Sequence, residues 1–282
     1  MDVLFSALMG IVQGLSEFLP ISSSGHLIVA EKLLGLLGYQ QGGSVIAFYV
    51  MLHMGTLLAV AVFFWKDWIE MILHPVKNRT LLLLFVASLP ALLVKVALGD
   101  WVDTLFTGWF LGISFLITAA FLLIIELLGR KKINQSKKAA IDLPSAVTMG
   151  VFQGVALLPG VSRSGSTLLG GIVSGLDRKS AVKFSFMMSA PAILGSFLVE
   201  GKDAVELYGF SSLFGLETLI GLAFAAVSGY LAIRYMLKLI EHISFHKFAL
   251  YVAVVGILVI IFQLTGFAGF PPIALPGSMP GV

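Results

Sequence analysis

Apolar residues in this chain run in long blocks without alternation, and the polar residues gather between them. Six blocks, about 44–65, 80–98, 106–128, 180–199, 213–237 and 248–265, reach the roughly 20 helical residues that a bilayer core requires. Each predicts a transmembrane helix. Two further apolar stretches, about 2–38 and 145–176, are broken near the middle, one by Pro20-Ile21-Ser22-Ser23-Ser24-Gly25 and the other by Pro159-Gly160-Val161-Ser162-Arg163-Ser164-Gly165. Their second arms, His26–Gly38 and Ser166–Gly175, are shorter than a span. Polar backbone at membrane depth is tolerated only where it is buried in protein or lines a wet cavity. The pattern therefore predicts an all-α polytopic membrane protein with six transmembrane helices and two re-entrant helical hairpins.

An internal repeat joins the two broken stretches. Met9-Gly-Ile-Val-Gln-Gly14 matches Met149-Gly-Val-Phe-Gln-Gly154, and at the same offset Ser22, Ser24 and Gly25 match Ser162, Ser164 and Gly165. Three predicted crossings separate the copies, an odd number, so the copies are expected in inverted topology, with a site near the midplane. Residues 1–140 would form repeat one and 141–267 repeat two of a single membrane domain, with 268–282 as an exposed Pro-rich tail. Small-residue helix packing is the competing explanation for the shared glycines.

Composition supports the membrane reading. Hydrophobic residues make up 58% of the 282 positions and charged residues 12%, about half the charged share of a soluble domain. Mean hydropathy is +1.01. There is no cysteine, which removes disulfides, thiolate metal sites and a cysteine nucleophile. The net charge of +3 comes from loop residues rather than a basic face, so no nucleic-acid partner is expected. Segments 66–79, 129–144, 177–183 and 234–247 carry 14 Lys/Arg, against Lys32, Lys95 and Lys202 on the other side. That asymmetry makes the basic side cytoplasmic, with both chain ends outside. Trp65 and Trp68 would mark the inner interface, Trp101 and Trp109 the outer. Met1-Asp2-Val3 has no basic residue ahead of its apolar stretch, so no cleavable signal is expected.

Apart from residues at the ends of the apolar stretches, four ionisable groups lie inside them: Glu17, His26, His53 and Arg163. Such groups are costly in hydrocarbon and mark functional sites by default. Gln13 and Glu17 share a helix face. Ser23 and His26 are three residues apart, which puts a hydroxyl and an imidazole together on a first helical turn, as an activated nucleophile requires. In the second copy Arg163 stands at the position of Ser23, Ser166 at that of His26 and Leu157 at that of Glu17. The first hairpin would supply the catalytic groups. The second would supply an anion clamp built from Arg163, Ser162, Ser164, Gly165, Ser166 and Thr167, facing Ser22, Ser24 and Gly25. A phosphate suits two facing helix starts, an arginine and a ring of hydroxyls. His53 is expected as a supporting residue behind the site.

Gln13-Gly-Leu-Ser-Glu17-Phe-Leu-Pro-Ile-Ser-Ser-Ser-Gly-His26 and Pro159-Gly-Val-Ser-Arg-Ser-Gly-Ser-Thr167 resemble the two signature motifs of the undecaprenyl pyrophosphate phosphatase family, the bacitracin-resistance proteins of bacterial membranes. The resemblance covers essentially the whole chain. It implies hydrolysis of a C55 polyprenyl diphosphate to the monophosphate that carries cell-wall precursors, in the bacterial plasma membrane. It also implies essential roles for Glu17, Ser23, His26 and Arg163, with help from Ser162 and Thr167 and from a divalent cation such as Mg2+ or Ca2+. Glu17 would be the acidic metal ligand, with Gln13 nearby. Its implied fold has inverted repeats and two re-entrant hairpins, and a site open to the outer face.

On this reading Ser23 attacks the terminal phosphorus with His26 as base, and His26 as the direct nucleophile is the variant. A transporter or flippase of polyprenyl phosphate would use the same anion site, but transport needs no nucleophile. A phosphatidate-phosphatase-type enzyme fits less well, because Leu169 stands where that family requires histidine. A homodimer is left open by the sequence.

Overall fold

A computed structural model of the chain describes residues 3–39, 44–105, 108–131 and 138–273. It is all-helical: α1 (Val3–Phe18), α2 (Ser23–Leu36), α3 (Val45–Phe63), α4 (Trp65–Leu73), α5 (Thr80–Leu105), α6 (Leu111–Lys131), α7 (Leu143–Val155), α8 (Arg163–Val173), α9 (Arg178–Tyr208), α10 (Leu216–Leu239) and α11 (Phe245–Thr265). Among the described residues α3, α5, α6, α9, α10 and α11 are long and apolar enough to cross a membrane, in agreement with the six predicted blocks. By contrast α1, α2, α7 and α8 have 16, 14, 13 and 11 residues, too short to span alone. They form two pairs, α1 against α2 and α7 against α8.

The breaks between these short helices come from their own residues. Ser22 takes a left-handed backbone (φ 76°) and its hydroxyl accepts from the Gly25 N–H, which starts α2. Ser162 does the same for the Gly165 N–H at the start of α8, after Gly160 has turned the chain with φ 87°. A side-chain acceptor at this position satisfies an N–H that has no partner within the helix. Asp142 and Asp177 cap α7 and α9 through the Ser145 and Ser180 N–H groups. Lys138 and Ser145 also hold the Asp142 carboxyl below the usual carboxylate range.

Packing links the two halves of the chain. α1 lies against α10, α7 against α5, α3 against α9 and α10, and α6 against α11. Helices approach this closely only where side chains are missing, and the repeat's own glycines make the room. A β-carbon on Gly10 would fall 2.4 Å from the Gly221 carbonyl oxygen, and one on Gly14 2.5 Å from that of Ala225. In the second copy, a β-carbon on Gly150 would fall 2.5 Å from the Ala87 carbonyl oxygen of α5. In a bilayer, where lipid tails are as apolar as the side chains, such close contact is a main source of helix association.

Several expectations need correction. Residues 66–79 are not wholly a loop, since α4 continues to Leu73. The predicted span at 80–98 runs on to Leu105 beyond a non-helical residue at Leu98. Trp109 is buried against the protein instead of facing an outer interface. The Pro-rich end does not start as a free tail: Phe270 is buried, Lys32 lies over its ring, and Gln263 donates to the Pro271 carbonyl. The remainder of that tail (274–282), the Trp101 side chain and basic residues 132–137 lie outside the described residues.

Gly10→Ala is expected to cost about 1–3 kcal/mol through overpacking at α10 and to lower the apparent melting temperature in detergent. Gly35→Ala has nothing within 4 Å of the added carbon and should leave melting unchanged or slightly raised. Equal melting of the two variants would contradict the close-packing role.

Candidate active site

The two breaks meet. Ser164 Oγ donates to the Leu19 carbonyl (3.0 Å), and the Gly160 N–H donates to Ser24 Oγ (3.3 Å). These reciprocal bonds bring the end of α1 and the start of α8 together. Across the junction, Arg163 Nη2 donates to Glu17 Oε1 at 3.0 Å, with the side chains 16% and 6% exposed. The other Glu17 oxygen accepts from Ser23 Oγ (2.5 Å) and from Gln13 Nε2 (3.2 Å). One carboxylate therefore bridges the expected nucleophile and the expected clamp. His53 on α3 lies within electrostatic reach of it and anchors Nδ1 on the Tyr49 carbonyl at 2.9 Å.

Arg163 is also tied to α9, where Nη1 donates to the Ser185 carbonyl at 3.1 Å. Two of its five N–H donors thus have protein acceptors. Thr167 secures the same corner, donating to the Arg163 carbonyl (2.8 Å) and meeting Ser185 Oγ (2.6 Å). Thr118 on α6 holds the second break from behind: its hydroxyl accepts from the Ser162 N–H (2.9 Å) and donates to the Gly160 carbonyl (3.3 Å).

The expected Ser23–His26 pairing is replaced by a different one, because the two side chains turn to different neighbours. His26 Nδ1 donates to the Ser22 carbonyl (2.7 Å), which leaves Nε2 of the neutral ring to accept from the Tyr251 hydroxyl (2.9 Å). The Tyr251 ring is stacked on the imidazole, with centroids 5.6 Å apart and planes at 20°. The group beside Ser23 is Glu17. Ser22 and Ser162 serve as helix caps, so the Gly25 and Gly165 N–H groups are already paired. Ser166, expected among the clamp hydroxyls, is buried with its Oγ unpartnered.

Thr118, Ser185 and Tyr251 carry no sequence signal of their own. A hydroxyl or phenol within an apolar run reads as packing until the fold shows its partner. A second buried pair was also missed: Arg178 Nη2 to Glu126 Oε2 at 3.3 Å, where Glu126 also accepts from the Phe245 N–H. It ties α6, α9 and α11 together away from the breaks.

The donor set near Glu17 suits a hard divalent cation. Gln13 turns its Nε2 to the carboxylate and keeps a buried Oε1 with no hydrogen-bond partner, and carboxylate and carbonyl oxygens are what Mg2+ and Ca2+ take. Among the described residues no group of three His, Cys, Asp or Glu is gathered to hold a metal. Further ligands would have to come from substrate phosphate and water.

The fold and site define a multi-pass helical membrane protein whose two broken helix pairs enclose a buried polar centre with a carboxylate, a serine, a histidine and an arginine. The model of the bacitracin resistance protein BacA family matches residues 6–258, and the chain belongs to that family. It is 37% identical to an undecaprenyl-diphosphatase of Methanosphaera stadtmanae, over 94% of this chain and 99% of that protein. Identity is 39% to one of Halothermothrix orenii, over 93% and 98%. It is 35% to undecaprenyl-diphosphatase 4 of Bacillus thuringiensis, over 94% and 99%.

Thr118→Val keeps the shape of the side chain and leaves the Ser162 N–H and Gly160 carbonyl without this partner. The expected cost is about 1–3 kcal/mol of stability, with a fall in turnover as the second break loosens. Stability and turnover both at the parent level would remove Thr118 from the site's support.

Proposed function

We propose that this chain is an undecaprenyl-diphosphatase, hydrolysing undecaprenyl diphosphate to undecaprenyl phosphate and inorganic phosphate, and that it thereby confers bacitracin resistance and returns lipid carrier to cell-wall synthesis. Family membership and the names of the relatives support the reaction. The observation that carries the mechanism is the Glu17 carboxylate, shared between the Ser23 hydroxyl and the Arg163 guanidinium.

Ser23 Oγ attacks the terminal phosphorus while its proton passes to Glu17 Oε2, the oxygen it already faces. The bond from phosphorus to the bridging oxygen breaks, and undecaprenyl phosphate leaves as an anion. Arg163 turns its remaining donors to the phosphate oxygens, and Ser24, Ser164 and the first N–H groups of α2 and α8 border the same space. Water then attacks the phosphoserine and gives its proton to His26 Nε2, once that nitrogen has released the Tyr251 hydroxyl it holds here. Glu17 returns a proton to the serine oxygen, and inorganic phosphate is released. Mg2+ or Ca2+ held by Glu17 and Gln13 Oε1 would neutralise charge on the diphosphate.

The short pairs α1–α2 and α7–α8 are re-entrant hairpins in this reading, and the halves of the chain are inverted repeats. Each half's hairpin rests on a long helix of the other half, α1 on α10 and α7 on α5, as a twofold exchange between inverted copies requires. The basic connections face the cytoplasm. A flippase would need the same anion site but would have no use for a serine bonded to a carboxylate.

Two experiments test the chemistry. Rapid quenching with labelled diphosphate is expected to trap phosphate on Ser23; label on His26 would overturn the serine mechanism. Arg163→Lys is expected to lower kcat/KM by about 100-fold or more, since an ammonium cannot give the planar two-point contact and a donor removed from charged phosphate costs several kcal/mol. Near-parental turnover in that variant would contradict the clamp.

A further inference from the structure

A groove of about 470 Å3 opens beside His26, between α1 and α11. Val12 and Leu15 of α1 and Phe248 of α11 give it apolar walls, and Tyr251 and His26 form its inner end. Lys247 is the cation among its lining residues, and its side chain is exposed. Leu15 is 41% exposed, so the groove faces outward rather than into the core. Its chemistry is unusual for the lipid-facing side of a helix: an apolar trough with one ammonium in its lining and an imidazole at its inner end.

We infer that this groove seats the lipid-side half of the substrate, the first isoprenyl units against Val12, Leu15 and Phe248, and the phosphate that stays on the lipid against Lys247. The inference rests on the phosphatase reading and extends it. A polyprenyl diphosphate has two phosphates and one apolar chain. The chamber at Ser23 and Arg163 accounts for the phosphate that is removed, and something else must hold the one that remains and direct the chain out to lipid. The matching occupant is an amphiphile with one anionic head and an apolar tail, and that is the reaction's own product. Adjacency supports the choice, since His26 lines the groove three residues along α2 from Ser23, and Leu19, which also lines it, accepts from Ser164 Oγ through its carbonyl. Tyr251, hydrogen-bonded to and stacked on His26, closes the inner end of the groove together with it.

The test uses the full-length protein in detergent with two substrates of the same headgroup, a C55 and a C15 polyprenyl diphosphate, and phosphate release as readout. Leu15→Trp, which fills the trough from an exposed position, is expected to lower the ratio of C55 to C15 kcat/KM about tenfold, the loss expected for roughly 1.4 kcal/mol of chain binding. Lys247→Met is expected to raise KM for both substrates several-fold with kcat little changed, and Lys247→Arg to restore it. An unchanged chain-length ratio in Leu15→Trp, or an unchanged KM in Lys247→Met, overturns the groove assignment. If the parent protein released phosphate from neither substrate, the phosphatase reading itself would fail, an outcome distinct from either of these.

Discussion

The contact on which the rest of the structure depends is the ion pair between Glu17 and Arg163. Each charge lies in an otherwise apolar stretch, and each alone would be expensive to bury. Together, with Ser23, Gln13 and the Ser185 carbonyl as further partners, they are satisfied. Removing either one would strand the other at a cost of about 3–5 kcal/mol. The pair also fixes geometry. Its members are 146 positions apart in sequence, so both helix breaks must reach the same place, and the close packing at Gly10, Gly14 and Gly150 follows from that need.

The same arrangement explains how a charged headgroup can be received. With no substrate, the guanidinium is balanced by the carboxylate, and no unpaired charge is left in an apolar setting. In the proposed mechanism a diphosphate would meet the remaining donors of Arg163, while Glu17 keeps Oε2, the oxygen that faces Ser23, for the serine proton. The strained backbone at Ser22 (φ 76°) lies next to Ser23, the proposed nucleophile, where the cost of an uncommon conformation is met by the bonds around it.

Much of this was legible in the sequence because membrane proteins write their constraints plainly. Twenty-residue apolar runs announced the six long helices. The serine-rich breaks placed the second arms from His26 and Ser166, three residues inside the observed starts of α2 and α8, and the rarity of charge in the apolar stretches singled out Glu17, His26, His53 and Arg163. The partner of Ser23 was not legible, because helical spacing allows the His26 contact and only the folded turn at Ile21–Ser22 directs the hydroxyl to Glu17. Tyr251, 225 positions from His26, Thr118 and Ser185 were invisible for the same reason: their roles come from contacts between distant segments. Phe270 was misread because proline and glycine around it suggested a free end, whereas the aromatic ring finds a buried seat.

The most direct test of the meeting of the two breaks exploits the absence of cysteine. A β-carbon on Gly165 would lie 3.6 Å from that of Pro20, within the range a disulfide spans. Pro20→Cys combined with Gly165→Cys should therefore form an intrachain disulfide rapidly under mild oxidation in native membranes, seen as a shift in non-reducing gels. Two thiols that stay free, and can be alkylated only after denaturation, would mean that the breaks do not touch and that the site described above does not exist.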